Sequence, residues 1–329
     1  MKLGIVGAGL IVHTLLEFIH EVDVELIAIS ALPKDIEILN ELKQKHGFKY
    51  VYTDYDEMLK NEEIDTIYIG VNNQLHYTFG KKALEANKHL IMEKPFTSNY
   101  EQARLIKRLA EEKHLMVFEA ISTIHNPNFK KIKELLPTIG DVKIVTVNYT
   151  QYSSRYDAFL KGEILPAFDY TKSGGALMDL NIYNIHFLLA LFGEPYKIRY
   201  IANMEHNIDT SGILTLEYHN FKCVSIAAKD CGAPYTNCIQ GNKGCIYTHS
   251  PLFTLTDFDY QLNKEEPVRY DLTGDAHRMK HEFIDFLEMF NHKDYEKMNE
   301  LLEHSLRVMK VVTEARKDID LVFPDDFTL

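Results

Sequence analysis

Apolar residues recur along the first third of the chain in two alternating periods. Runs at 2–6, 25–30, 65–71, 89–92 and 115–118 are short and nearly continuously apolar, the pattern of strands covered on both faces. Between them, segments 10–20, 36–46, 74–86 and 100–113 space apolar positions three and four residues apart and predict amphipathic helices, with Asn87 as a C-terminal stop. Such alternation implies right-handed crossovers and a parallel sheet whose ligands bind at the carboxyl ends of the strands. After about Glu119 the rhythm changes. Helices are predicted at 128–136 and 175–192, and runs at 196–204, 213–218, 222–228, 235–240 and 245–248 then follow strand upon strand. Turn chemistry at His219-Asn220 and Gly241-Asn242-Lys243-Gly244 punctuates them. This half reads as an α+β arrangement with a mostly antiparallel sheet, closed by helical stretches at 275–290 and 294–316.

Composition sets bounds on these elements. The 329 residues, 46% of them hydrophobic, suffice for two domains with their own cores. Lysine and arginine number 36 against 48 aspartates and glutamates, a net charge of −12, which disfavours nucleic acid and anionic lipid and directs attention to a small-molecule site. No run is read as reaching the roughly 18 apolar residues of a membrane span, and the first strand is too short for a signal peptide, so a soluble, cytoplasmic protein is expected. Cys223, Cys231, Cys238 and Cys245 fall close together and raise the question of a metal. They lack the close pairs of zinc sites, which favours buried thiols in a reducing compartment.

The chemistry begins at Gly7-Ala8-Gly9-Leu10-Ile11-Val12, directly after the first strand. Gly7 permits a tight turn, and Gly9 lets the backbone approach a pyrophosphate at the N-terminus of the next helix. Val12 stands where a third small residue is usual. These features mark residues 1–120 as a dinucleotide-binding domain and leave 121–329 as a second domain, to which the resemblance given below assigns substrate binding and oligomerisation. The second strand ends in Ile29-Ser30-Ala31-Leu32-Pro33-Lys34 without a carboxylate; Ser30 and Lys34 favour NADP over NAD, although Lys34 reads equally well as a solvated loop residue.

Glu93-Lys94-Pro95 follows the apolar strand at 89–92 and places a lysine at the mouth of the crevice, where partial desolvation suits it to proton transfer. Farther on, Asp179, Tyr183 and His186 are spaced to share one face of an otherwise apolar helix. A packed ring and a local backbone contact would also account for Tyr183 and Asp179, and a structural role for His186 competes with a proton relay.

The glycine turn, Glu93-Lys94-Pro95 and the run Gly174-Gly175-Ala176-Leu177-Met178-Asp179 leading to Tyr183 together resemble the glucose-fructose oxidoreductase, inositol dehydrogenase and rhizopine-catabolism family, Gfo/Idh/MocA. Asn72-Asn73-Gln74-Leu75-His76, the segment 80–94, Glu119-Ala120, His125-Asn126-Pro127 and Ile139-Gly140-Asp141-Val142 fall in family order, and the likeness weakens beyond Pro195. It implies a Rossmann domain followed by an α/β domain with a large open sheet used for homodimer or homotetramer contacts. It further implies a substrate lying between the domains against the nicotinamide. By resemblance, Lys94 bonds the reacting oxygen, Tyr183 is the acid/base, Asp179 orients the site, and the Lys94-Pro95 peptide is cis. Cofactor contacts are expected from Gly7, Gly9, Leu10, Ile11, Ser30, Lys34, Asn72, His76, Glu93 and Lys94. The chain departs from the family at Val12, at Ala31 and Leu32, at Ile124, and at Asn181, where a glycine is common.

The reaction so implied is hydride transfer between a nicotinamide cofactor and a carbinol or carbonyl carbon. Thr150 to Asp157 offers hydroxyls, an amide and the Arg155 guanidinium, groups suited to a sugar, polyol or cyclic diol, with Tyr152, Arg155, Tyr183 and His186 as candidate contacts. Tyr149, Tyr152 and Tyr156 read equally well as sheet-surface aromatics. Two rivals remain: a nucleotide-binding sensor that has lost turnover, and a structural dimerisation protein.

Overall fold

The structure, a computed structural model, describes residues 1–327 and divides into two compact units. The first contains Met1–Ala120 and Met279–Leu306; the second contains Ile121–Arg278 and, of the described residues, 307–327. A division at residue 120 alone therefore leaves Met279–Leu306 outside the unit with which it packs. The reason is apolar burial: Phe283 meets Phe18 edge-on at 5.6 Å, and Phe286 stacks on Phe118 at 4.8 Å.

The first unit is built on a parallel sheet of β1 (Lys2–Val6), β2 (Glu25–Ser30), β3 (Tyr50–Tyr52), β4 (Thr66–Ile69), β5 (His89–Glu93) and β6 (Val117–Ala120), ordered β3-β2-β1-β4-β5-β6. β3 lacked a sequence signal because three residues are too few to show a period. The predicted crossover helices form at Leu10–Phe18, Ile36–His46, His76–Glu85 and Tyr100–Lys113, and Asn87 adopts the left-handed conformation (φ 59°) just past the third. The strand order reverses between β1 and β4, the topological position at which such sheets open a crevice. Val6 is level with Ser30 on one side and Ile69 on the other, so the chain leaves all three strands at the same height.

The second unit carries an eight-stranded sheet of β7 (Val142–Thr150), β8 (Lys197–Glu205), β9 (Ile208–Glu217), β10 (Lys222–Ala228), β11 (Asn237–Gly241), β12 (Gly244–Thr248), β13 (Phe258–Leu262) and β14 (Val268–Tyr270). It is antiparallel except where β10 runs parallel to β7. β9 starts five residues before its predicted run because Asp209, Thr210 and Ser211 are polar yet buried, which hides the strand from a hydrophobicity pattern. Helix Ile182–Phe192 is buried from Ile182 to Leu189 and packs against the sheet, Asn184 Nδ2 donating to the Ile226 carbonyl.

Two expectations need correction here. The predicted helix at 175–192 is not uniform: Leu177–Asn181 is a π-helical turn, which changes the angular spacing that put Asp179, Tyr183 and His186 on one face. Residues Tyr170–Phe192 are, by length and composition, apolar enough to cross a membrane, contrary to the reading of the sequence; 78% of their most apolar stretch is buried inside the protein, as in a core helix.

Candidate active site

In the first unit, Gly7 donates its N–H to the Ser30 carbonyl at 2.8 Å and has φ 119°. A side chain there would collide with the Gly70 carbonyl, so the close approach of two strand ends requires this glycine. Gly9 precedes the helix Leu10–Phe18 in extended conformation, and a Cβ added to it would meet no atom within 4 Å. The space above it is open for a ligand. The helix has no side-chain cap and no acidic residue in its first turn, so its N–H groups and positive dipole end have no built-in anionic competitor.

These residues border a cleft of about 430 Å³. Gly7, Gly9, Leu10 and Ile11 line one side, Ser30, Ala31, Leu32 and Asp35 the region beyond β2, and Gly70, Val71 and Asn72 the region beyond β4. The second-strand loop thus differs from its sequence reading. Lys34 is exposed in the short helix Pro33–Asp35, and that same turn brings the carboxylate-bearing Asp35 to the cleft. The fit to a dinucleotide is good at the pyrophosphate position: glycine backbone, open space and a helix N-terminus converge.

His76 has a different place from the one expected. It is fully buried, with Nδ1 2.9 Å from the Pro95 carbonyl and Nε2 3.1 Å from the Val71 carbonyl, and its ring braces these loops instead of opening to the cleft. Burial pushes its pKa down, against the two carbonyls that raise it.

At the end of β5, Glu93 is buried and its Oε1 accepts a 2.5 Å hydrogen bond from the Tyr68 hydroxyl. Its Oε2 accepts from the Lys94 backbone N–H at 3.2 Å. Lys94 is half-buried, and the Lys94-Pro95 peptide is cis. The buried carboxylate fixes the backbone from which the Lys94 side chain departs.

In the second unit, Gly174 and Gly175 are required by crowding. A side chain on Gly174 would strike the Pro166 and Ala167 carbonyls, and one on Gly175, at φ 102°, would overlap Asp209 Oδ1. Asp209 is fully buried; its Oδ2 accepts the Leu177 N–H at 2.7 Å and the Tyr200 hydroxyl at 2.8 Å. Burial raises its pKa to about 6, with the Leu177 and Tyr200 hydrogen bonds and the Lys229 charge opposing the rise.

Asp179 lies in the π-helical turn with its side chain about one-third exposed, and Oδ2 accepts a 2.8 Å charge-assisted bond from Lys229 Nζ. Tyr183 sits among rings, 5.4 Å from Phe253 and 6.1 Å from Tyr149, and Phe253 also stacks on Tyr149 at 5.2 Å. Asn181, standing at the glycine position of the family pattern, anchors the turn to the sheet: Oδ1 accepts from Ser225 Oγ and from Asn184 Nδ2.

The remaining candidates divide by burial. His186 is fully buried in the core helix. Tyr156 packs against Phe159 and Phe168 and donates to Glu205 at 3.1 Å; burial and that carboxylate push its pKa up to about 12. Tyr152 is exposed and donates to Asp157 at 2.6 Å, and Arg155 is exposed beside it. Sequence reasoning missed Asp35, Tyr68, Gly70, Asp209 and Lys229. Lys229 alone had a legible signal, a lysine directly after an apolar strand, the same placement that singled out Lys94.

Comparison with known proteins agrees with this geometry. Residues 1–121 match the GFO/IDH/MocA domain described as an oxidoreductase family with an NAD-binding Rossmann fold, and residues 129–247 match the C-terminal domain of the same family. The chain is 31% identical to scyllo-inositol 2-dehydrogenase (NADP(+)) IolU of Bacillus subtilis, over 99% of each chain. It is 26% identical to trans-1,2-dihydrobenzene-1,2-diol dehydrogenase of Bos taurus, again over 99% of each. Among solved structures, KijD10, a 3-ketoreductase from Actinomadura kijaniata in complex with NADP and TDP-benzene, shares the fold with a TM-score of 0.84 at 17% identity, covering 97% of both chains.

Proposed function

The chain belongs to the Gfo/Idh/MocA family of NAD-binding oxidoreductases, and on that premise we propose that it interconverts a secondary alcohol and a ketone on a polyol or ring diol, with NADP as hydride carrier. The observation that carries this reading lies within the first unit: a glycine-bordered cleft at a helix N-terminus, with Lys94 at the carboxyl edge of the same sheet. Similarity to IolU and to the dihydrodiol dehydrogenases supports the substrate class.

Gly7, Gly9, Leu10 and Ile11 would hold the pyrophosphate, and Ser30 and Asn72 would hold the remainder of the cofactor. The chemistry a bound nicotinamide would supply there is reversible hydride exchange with the carbinol carbon. Lys94 bonds the reacting oxygen. In oxidation the hydroxyl proton passes to Tyr183 or Lys94; in reduction Tyr183 donates it; Asp179 orients the exchange. His186, buried in its helix, keeps a structural role. Tyr152 and Arg155, exposed on one short segment, are the proposed outer contacts for a hydroxylated ligand.

Asp35 supports a second reading for the cofactor alone. A carboxylate lining the cleft disfavours a 2′-phosphate and suits the free ribose hydroxyl of NAD. Fluorescence titration with NADPH and NADH, followed by turnover on inositols, other polyols and ring diols, tests both readings. Tighter NADPH binding with turnover is the expected result. Tight binding with no turnover on any of them favours a sensor of the same fold.

The second unit presents an isoleucine row on its sheet: Ile201, Ile213 and Ile226 are cross-strand neighbours on β8, β9 and β10, and are 66%, 45% and 36% exposed. Such a row suits an apolar partner surface, and a homodimer or homotetramer through this sheet is the proposed assembly. The net charge of −12 opposes nucleic acid and anionic membrane surfaces as partners. Four free cysteines accord with the cytoplasm as the proposed compartment.

A further inference from the structure

Lys229 directly follows β10, and its backbone N–H donates to the Thr210 carbonyl at 2.8 Å. The side chain turns inward and is only 2% exposed. An ammonium so buried is tolerated when its protons are met by acceptors. Nζ donates to the Ala167 carbonyl at 2.5 Å and to Asp179 Oδ2 at 2.8 Å, and it stands 4.6 Å from the centre of the Phe168 ring. Carbonyl, carboxylate and ring face therefore surround the cation.

The pair is asymmetric. Lys229 is sealed in the protein, whereas the Asp179 side chain is one-third exposed. The lysine thus fixes one carboxylate oxygen from below, within a π-helical turn whose backbone hydrogen bonding alone would specify Asp179 less firmly than an α-helix. The same glycine pair that lets Asp209 hold the Leu177 N–H brings the chain close to the Ala167 carbonyl that Lys229 also holds. Pro166–Phe168, β9, β10 and the turn are therefore tied at one point.

We propose that Lys229 is a positioning residue for the reaction: it holds the Asp179 carboxylate ionised and aimed, and acts on turnover only through Asp179. The inference rests on the reading of Asp179 as part of the oxidoreductase site. Other titratable groups on the elements around this turn include Asp209 and Glu217 on β9, Cys223 on β10 and Asp230 after it, Tyr149 on β7, Tyr200 and Glu205 on β8, Asp169, Tyr170 and Lys172 after Phe168, and Tyr183 and His186 on the following helix.

The test compares Lys229→Met, Lys229→Gln and Lys229→Arg in the wild-type and Asp179→Asn backgrounds, with thermal melting to follow folding. The Gln variant keeps a donor for the Ala167 carbonyl should the Met variant fail to fold. The expected result is a fall in kcat of about ten-fold or more, a share of the 10²–10⁴ that a positioned acid–base system contributes. KM for substrate should change less, Arg should restore part of the loss, and no further fall should occur in the Asp179→Asn background. Additive losses, or kcat within two-fold of wild type, overturn the proposal. Carbon-13 NMR of the Asp179 carboxyl, followed from neutral pH down to the acid limit of the folded protein, supplies a readout independent of substrate. Its titration should move up by about one pH unit or more without the cation. An unmoved titration overturns the proposal even if the wild-type protein turns over none of the polyols, a result that would by itself refute only the reading of function.

Discussion

Val12 and Gly70 are fitted to one another: a Cβ added to Gly70 would stand 2.9 Å from Val12 Cγ2, inside the distance that real side chains keep. The bulk that departs from the dinucleotide fingerprint at Val12 is accommodated by an absence of side chain at the end of β4. Gly70→Ala should therefore overpack the base of the cleft and cost about 1–3 kcal/mol, with weaker NADPH binding. The double substitution Val12→Ala/Gly70→Ala should recover much of the loss. Thermal denaturation and fluorescence titration of the three proteins check this; equal melting of wild type and the Gly70 variant would refute it.

Lys94→Ala should leave NADPH affinity within a few-fold and reduce turnover by about 10² or more, because the lysine handles the reacting oxygen and the pyrophosphate is held elsewhere. Tyr183→Phe should preserve the ring contacts to Phe253 and Tyr149 while removing the acidic hydroxyl. Steady-state kinetics beside a binding titration separate the two effects. Retained turnover in Lys94→Ala would remove it from the mechanism.

Asp209 ties stability to pH in an unusual direction. Its folded pKa of about 6 lies above the ordinary value of 3.8, so the folded chain holds this proton more tightly than the unfolded chain. The ionised form is a burden that is fully present above pH 6 and disappears as pH falls to about 4. Its size is on the order of 3 kcal/mol, from the shift at this fully buried group. Asp209→Asn, which can still accept from Leu177 and Tyr200, should show a flatter dependence of unfolding free energy on pH between 4 and 6. Urea melts at several pH values measure it, and an unchanged slope would count against the assignment.

Near the C-terminus, Arg316 is buried with its guanidinium forked on Asp326 at 2.7 and 2.9 Å and stacked 4.0 Å from the Phe323 ring. Asp326→Ala removes that fork from a buried cation and should cost about 3 kcal/mol, towards the lower end for breaking a buried pair because the carboxylate side is 23% exposed. Chemical denaturation gives the number. A change below about 0.5 kcal/mol, typical of surface pairs, would show that the clamp carries little.

The isoleucine row predicts the state of assembly. Ile201→Glu with Ile213→Glu places two charges on adjacent strands at directly paired positions. If the sheet forms the proposed interface, light scattering should report a monomer for the double variant and an oligomer for the wild type. An oligomer in both would assign assembly to another surface.

Much of the candidate site could be read from the sequence because its residues follow from local rules. Gly7 and Gly9 are dictated by a strand-to-helix turn, Lys94 by the end of an apolar strand, and Gly174 with Gly175 by a backbone crowded on both sides. Where the structure differs from the sequence reading, the packing of loops and helices decided the outcome, not the strand and helix periods. His76 looked like a cofactor contact until the carbonyls of Val71 and Pro95 closed on its ring. Lys34 looked like the charged residue of its loop until a single turn brought Asp35 to the cleft. Met279–Leu306 was assigned to the second domain because it follows it in sequence, although Phe283 and Phe286 bury themselves in the first unit.

The periods of the elements, the parallel and antiparallel character of the two halves, and the residue types available for hydride chemistry were all readable along the chain. These follow from side-chain spacing and backbone freedom, which act over a few residues. Which charges pair, and which glycines make room for which side chains, came from long-range packing. Lys229 reaches Asp179 across 50 positions, and Gly70 makes space for Val12 across 58, because strand register, not chain order, sets these neighbours.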